Sequence, residues 1–377
     1  MTQQPHDALR EAAKAAFGRA ARFFLQQTIE GSGFRFGPSH DVARWPSMVL
    51  PGSYNAVMGL RLLGHDFTDQ ERDRLAAVIR SFALPDGAFR MPQMTPHDVF
   101  KKPDADETWG YLDFHLTNYA LGGLEALDRL DGVRFDFVRP FLQPQFVEAW
   151  LARRDLRDPW QEGNNLVNLG SFLLLLTHHG DADDRDRAGH ALDLVMDWHE
   201  RNQEPATGFW GVGQHHDPRQ RLHAMAGATH DYHLYYALGR PIPSIERAVD
   251  YCLGLPPDVV SACIDVDTID ILVHAAVRSA YRADEIRAWC ERWVRRIVAV
   301  QNPDGGFFDE RQGILRFDGW VGGYWEPQGG SNTFATWFRC IAMAMCARLL
   351  WPDMRFGFRR MIGIGYARLG DGADGVA

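Results

Sequence analysis

The chain has no paired Cys-x-x-Cys, no phosphate-binding Walker loop and no Gly-x-Gly-x-x-Gly following a strand. Structural zinc and nucleotide chemistry therefore lack their usual sequence marks. The five cysteines, Cys252, Cys263, Cys290, Cys340 and Cys346, are odd in number and sit in apolar or helical surroundings. That reads as reduced, buried thiols rather than a disulfide framework. No uninterrupted apolar run reaches the roughly 18 residues that a membrane-spanning helix needs. Positive charge is also in short supply. The net charge of −9 argues against nonspecific nucleic-acid binding, which relies on Lys and Arg to neutralise phosphates. Met1 to Asp7 lack the basic, apolar and small-residue succession of a secretory signal, so a cytoplasmic protein is expected.

What is present is a repeat. Four times a helical stretch ends in a turn built on glycine and an aromatic residue. The copies are Gln26–Phe34, Leu84–Phe89, Gln203–Trp210 and Gln301–Phe307. Glycine allows the positive φ that stops a helix, proline and aspartate set the turn, and the ring pins it to a neighbour. Each copy is followed by an apolar segment, the four opening at Asn55, Thr117, Thr229 and Asn332. Two weaker units complete the series. One is the turn Asp158–Gly163 before Asn164–Phe172, and the other is Leu255–Asp258 before Asp265–Leu272. Six helical hairpins at a period of roughly 50 to 60 residues predict an all-α fold, an (α/α)6 toroid. The second helix of each pair forms a buried inner ring, apolar nearly all round, as in Leu169–Leu176 and Phe334–Leu350. Charged stretches such as Asp284–Gln301 suit the outer ring.

The expected organisation is one toroid domain over residues 1–353 and a C-terminal segment over 354–377, its last residues disordered. Within that segment, Met354–Ile362 mixes basic and apolar residues. It is read either as a strip packed over the ring or as a peripheral contact with the inner membrane.

In a closed helical ring, polar residues near the starts of inner helices converge on a central cavity. Candidates are Asn55, His115 with Asn118, Asn165 with Asn168, His230 with Asp231, Asp265 with Asp267, and Asn332. Each also reads as an ordinary helix cap. The sharpest local pattern is Cys263–Leu272, where Asp265, Asp267 and Asp270 interrupt an apolar segment. Carboxylates crowded at an apolar site cannot all ionise cheaply, so one keeps its proton and can act as a general acid. Capping plus hydrogen bonds to neighbouring helices is the structural alternative. Trp109, Tyr111, Trp325 and Trp337 are candidates for an aromatic cavity wall, which suits cations, apolar chains or sugar rings.

The Gln301–Phe307 turn, with its relatives at Pro85-Asp86-Gly87 and Gly208-Phe209-Trp210, resembles the repeats of terpenoid cyclases and protein prenyltransferases. The similarity runs from about Ala8 to Leu350 and implies an alpha/alpha toroid. Asp265-Val266-Asp267-Thr268 is similar to the Asp-x-Asp-Asp motif of class II cyclases such as squalene-hopene cyclases. The resemblance implies that Asp267 is the proton donor and that Asp265 tunes it. Thr268 stands where the family motif has its last aspartate. The zinc ligands of prenyltransferases and the Cys-His-Gly pattern of lanthipeptide cyclases are not found, and nothing calls for a metal or other cofactor.

Two enzyme readings follow. In the first, an isoprenoid cyclase or isomerase protonates its substrate from Asp267, aromatic faces shield the cation, and a polar neighbour takes a proton at the end. In the second, a carbohydrate-active enzyme, a uronate lyase or glycoside hydrolase, uses Asn165 with Asn164 to bind a carboxylate and His230, Tyr232 or His233 to move protons. A hydrolase would pair Asp267 with Glu107 or Glu162. A noncatalytic helical-repeat scaffold is the third possibility. The expected partner is a small molecule, an isoprenoid ahead of a glycan, with no nucleic acid.

Overall fold

The computed structural model describes residues 3–95, 105–211, 216–310 and 321–358. Among the described residues, twelve α-helices alternate between two rings. The outer set is α1 (Gln3–Gln26), α3 (Asp69–Arg80), α5 (Pro144–Leu151), α7 (Ala182–Asn202), α9 (Ile245–Gly254) and α11 (Ala283–Ala299). The inner set is α2 (Val49–Leu62), α4 (Ala105–Ala126), α6 (Pro159–His179), α8 (Pro218–Leu238), α10 (Ala262–Arg278) and α12 (Thr333–Leu350). Each inner helix packs on the next, and α12 packs back on α2, so the ring closes. By length and apolarity α12 meets the measure of a membrane span, but it is a core element of this ring, with 83% of its span buried.

The helices begin where the sequence supplies caps. Thr68 and Glu71 form a reciprocal capping box at α3. Asp217 followed by Pro218 opens α8, Ser261 caps α10, and Asn332 caps α12 through Ala335 N–H. Several inner helices start earlier than their polar residues suggest. Asn55, Asn118, Asn165 and His230 lie inside α2, α4, α6 and α8 and are not caps. The Asp158 turn is likewise shorter than expected. Pro159 occupies the first helical position, where its missing N–H is harmless, so Trp160–Gly163 are helical.

Three of the four repeated turns share one construction. Ile29, Leu84 and Asn302 each donate N–H to the carbonyl of the glycine or alanine four residues on. Gly87 and Gly305 take φ of 93° and 90°. A Cβ there would lie 2.0 Å from the Arg134 carbonyl oxygen and 2.5 Å from that of Arg19, so only glycine fits. The aromatic residue that follows donates its N–H to a hydroxyl on the coming inner helix: Phe34 to Ser53, Phe89 to Thr117 and Phe307 to Thr336. The last turn also reaches the first helix. Gln301 donates to the Ala16 carbonyl and accepts from Arg19, tying the end of the ring to its start.

The inner helices α6 and α8 run parallel, since Gly163 faces Gly227 while Gly170, a heptad on, faces Leu234, also a heptad on. Their backbones touch at these glycines. Of the C-terminal segment, Met354–Phe358 lies against the ring: Phe356 packs edge-on to Phe17, and Gly357 N–H donates to the Leu62 carbonyl. Arg359–Ile362, the rest of the basic strip, fall outside the described residues.

The glycine contact yields a stability prediction. A Cβ on Gly227 would lie 2.2 Å from the Pro159 carbonyl oxygen, whereas one on Gly189 in α7 meets nothing within 4 Å. Gly227→Ala should destabilise the fold by at least about 1–3 kcal/mol. Gly189→Ala should stabilise it by up to about 1 kcal/mol through helix propensity. Urea unfolding of both variants measures the contrast.

Candidate active site

The inner helix α10 enters the ring with three carboxylates, and the structure gives each a different partner. Asp265 lies in the first turn. The guanidinium of Arg339, fully buried on α12, binds it, and Val260 N–H donates to both of its oxygens at 3.2 and 3.3 Å. Arg339 also donates to the carbonyls of Ser261 and Asp309, which fixes its position. Burial pushes the Asp265 carboxyl up to about 6, against the downward pull of Arg339. Burial also raises Asp270, but His233 at 3.1 Å and His274 at 3.6 Å outweigh it and hold the group below the ordinary carboxylate value.

Asp267 has no such support. It is 1% exposed, its Oδ2 has no hydrogen-bond partner among the described residues, and the nearest imidazole, His230 Nε2, stands 3.9 Å from Oδ1. Burial first, then the charges of Asp270 and Asp265, lift its pKa well above the usual carboxylate range. That favours its protonated form, and Oδ2 meets no acceptor among the described residues. His230 is fully buried, and neither ring nitrogen has a hydrogen-bond partner among the described residues. Burial, then the nearby His233 and His115, hold it well below its ordinary value, which favours the uncharged imidazole.

Across the ring, α4 carries Tyr111, His115 and Tyr119 on one face at helical spacing. Tyr111 stacks on His115 at 5.7 Å, and Tyr119 meets His115 edge-on at 4.9 Å. Tyr119 continues the wall to Tyr54 on α2, stacked at 5.5 Å, and to Trp337 on α12, edge-on at 5.9 Å. Burial holds the His115 imidazole down at about 3. Asn168 on α6 accepts from Asn118, and its amide nitrogen lies 3.5 Å from His115 Nδ1. Asn165, on the same helix, donates to Glu162, which is paired with Arg154 at 2.8 Å.

Other expected residues lie elsewhere. Tyr232 donates its hydroxyl at 2.6 Å to the Gly208 carbonyl, bracing an outer turn. Asp231 bonds to His199 on outer helix α7 at 3.0 Å. Trp109 is only partly buried and lies under the Arg90 guanidinium at 4.3 Å. Trp325 is 58% exposed: its neighbours Tyr324 and Glu326 turn inward, which leaves the residue between them on the surface. Arg339 was missed by sequence reasoning, though a charged residue inside an otherwise apolar buried helix was the available signal. His274, stacked on Tyr236 at 3.9 Å beside Asp270, was also missed.

No family model matches the chain, and neither does any curated protein. A search of solved structures finds the type II terpene cyclase MstE from Scytonema, an arginine-to-alanine variant in complex with its substrate, geranylgeranyl dihydroxybenzoate. The identity is 14%, the TM-score is 0.52, and the match covers 91% of this chain and 99% of that one. The fold is terpenoid-cyclase-like. At that identity the likeness concerns architecture alone. Within this terpenoid-cyclase-like ring, the Asp-x-Asp-Thr segment sits in the first turns of α10, and Thr268 returns its hydroxyl to the Ile264 carbonyl at 2.8 Å. The third carboxylate near Asp267 is Asp270, one turn further on.

The differing partners of Asp265 and Asp267 make their substitutions separable. Asp265→Asn strips the buried Arg339 of its counter-charge and should cost about 3–5 kcal/mol. A carboxyl whose folded-state pKa is raised loses stability as pH climbs above the unfolded value, and an amide does not. Asp267→Asn should therefore be neutral or stabilising at pH 7. Denaturant unfolding of both variants at pH 5 and pH 7 measures this.

Proposed function

We propose that the chain is an acid-initiated terpenoid cyclase or isomerase in which Asp267 delivers the initiating proton. One observation carries this reading: a fully buried carboxyl, pushed well above its usual range and with an oxygen unpartnered among the described residues, in a ring that also carries a string of aromatic side chains from α4 to α2 and α12. An alkene is a very weak base, so the acid must hold its proton until substrate is in place, and the carboxylate it leaves must be offset by the cation formed beside it. Crowding with Asp265 and Asp270 keeps the proton on Asp267 until a substrate accepts it. Transfer from Oδ2 to the terminal alkene carbon leaves a tertiary cation and a carboxylate beside it. The next double bond of the chain attacks the cation, closing a ring. The faces of Tyr119, Tyr54 and Trp337 stabilise the moving positive charge at about 0.5–2 kcal/mol per ring. Loss of a proton to a base along the cavity ends the sequence. In this reading Arg339 is a positioning residue, holding Asp265 so that its charge acts on Asp267. MstE, with a prenylated aromatic substrate on a similar ring, supports the choice of an isoprenoid over a glycan.

The deciding assay offers linear polyprenyl compounds and acidic oligosaccharides to wild type and Asp267→Asn. Cyclised isoprenoid from wild type is expected, with kcat lowered about 10²–10⁴-fold in the variant. Turnover of the oligosaccharides, or isoprenoid turnover indifferent to Asp267, would sink the mechanism. The working form of Asp267 is the protonated one, so turnover should fall as pH rises through its raised pKa. Asp265, ionising near 6, adds charge beside it on the way. A pH–rate profile that instead climbs with pH would point to a base as the initiating group.

A further inference from the structure

Beside the aromatic wall, between α4, α6 and the segment around α5, is a cavity of about 240 Å³. Tyr111 and Asn165 border it on the ring side, and Phe114, Phe137, Phe141 and Trp150 supply rings on the other sides. The rings pack on one another: Phe114 edge-on to Phe137 at 5.8 Å and tilted against Phe141 at 5.6 Å, and Phe141 edge-on to Trp150 at 5.6 Å. One edge of the cavity is polar. The Arg154 side chain, 3% exposed, lies over the Trp150 ring at 4.0 Å and bridges Glu107 at 3.3 Å and Glu162 at 2.8 Å. Asn165 extends this network at 3.1 Å from Glu162, and Arg153 joins from solvent at 2.8 Å from Glu107.

Two magnitudes define what fits. An apolar cavity of about 150 Å³ takes a benzene ring, whereas whole drug-sized ligands need about 300–1,000 Å³. A volume of about 240 Å³ therefore holds one substituted six-membered ring and not a polyprenyl chain. The charge balance selects further. Two arginines face Asp106, Glu107 and Glu162, so the edge offers donors and acceptors together without an excess of positive charge. A diphosphate head is poorly served there, and a phenol or catechol is well served. A buried arginine–carboxylate network seldom adds net stability over apolar packing of the same volume, so its presence against an aromatic box indicates recognition.

We propose that this cavity is a head-group subsite for a prenylated, hydroxylated arene. The arene sits in the Phe114–Phe137–Phe141–Trp150 box with its hydroxyls on the Arg154 network, and the isoprenoid tail runs past Tyr111 and Asn165 into the ring towards Asp267. The proposal rests on the cyclase reading for its tail and on the cavity alone for its head.

The test uses the full chain and catechol as the head-group probe, followed by ligand-observed NMR. Saturable binding with a Kd in the millimolar range is expected, as suits eight non-hydrogen atoms. It should weaken at least tenfold in Trp150→Leu. In wild type, catechol should compete with turnover of a prenylated phenol and leave turnover of a linear polyprenyl hydrocarbon unchanged. Trp150→Leu should likewise raise KM for the prenylated phenol about tenfold and not for the hydrocarbon. Because the competition needs no variant, a misfolded Trp150→Leu does not spoil the result. Isoprenoid turnover without saturable catechol binding, or equal inhibition of both substrates, would overturn the subsite and leave the cyclase reading standing. Catechol binding lost in Trp150→Leu, with no isoprenoid turned over, would support the subsite and sink the cyclase.

Discussion

Desolvation inside a closed ring of helices is the constraint on which the rest depends. Each of the six inner helices is covered by two inner neighbours and an outer layer, so a polar side chain on them cannot reach water sideways. It must find a partner, face the centre, or give up its charge. The carboxylates of α10 show two of these outcomes within two turns. Asp265 is met by Arg339, Asp270 is met by two imidazoles, and burial pushes the Asp267 carboxyl up towards its neutral form. No single feature of Asp267 sets this environment. Its neighbours took the available partners, and burial did the remainder.

Ring closure also explains the repeated turns. A helical hairpin cannot bury its own apolar face, so successive hairpins must be held at a constant angle until the last meets the first. The glycine turns fix the crossing from outer to inner helix, and the hydroxyls Ser53, Thr117 and Thr336 anchor three of them to the helix that follows. Gln301 then joins the final turn to α1. A rigid frame of this kind suits a reaction through cations, because it holds aromatic faces and one acid at fixed separations and excludes water, which would quench the cation.

Opposite sides of the ring divide the labour. The α10 side concentrates negative charge and its compensation, and the α4 side carries a string of rings linked to α2 and α12. Beyond that string, the Arg154 network marks a polar edge against an aromatic box. The proposed substrate, with an apolar, reactive tail and a polar ring-shaped head, would meet these surfaces in that order.

The amino-acid sequence by itself determined the architecture. Glycine turns and apolar helices at a fixed order make six hairpins whose buried faces can be satisfied only by stacking, and that periodicity is a local property of the chain. It also exposed the three aspartates, because charge in an apolar run is visible without coordinates. Tertiary structure alone decided which of them keeps its proton, since that depends on Arg339, His233 and His274, brought from distant turns of the ring or from the far end of α10. It alone sent Tyr232 outward to Gly208 and Trp325 to the surface, although the first read as a proton-moving residue and the second as a wall residue. Which way a buried side chain points, and which charge stands beside it, are set by packing between helices far apart in the chain, and no local pattern encodes them.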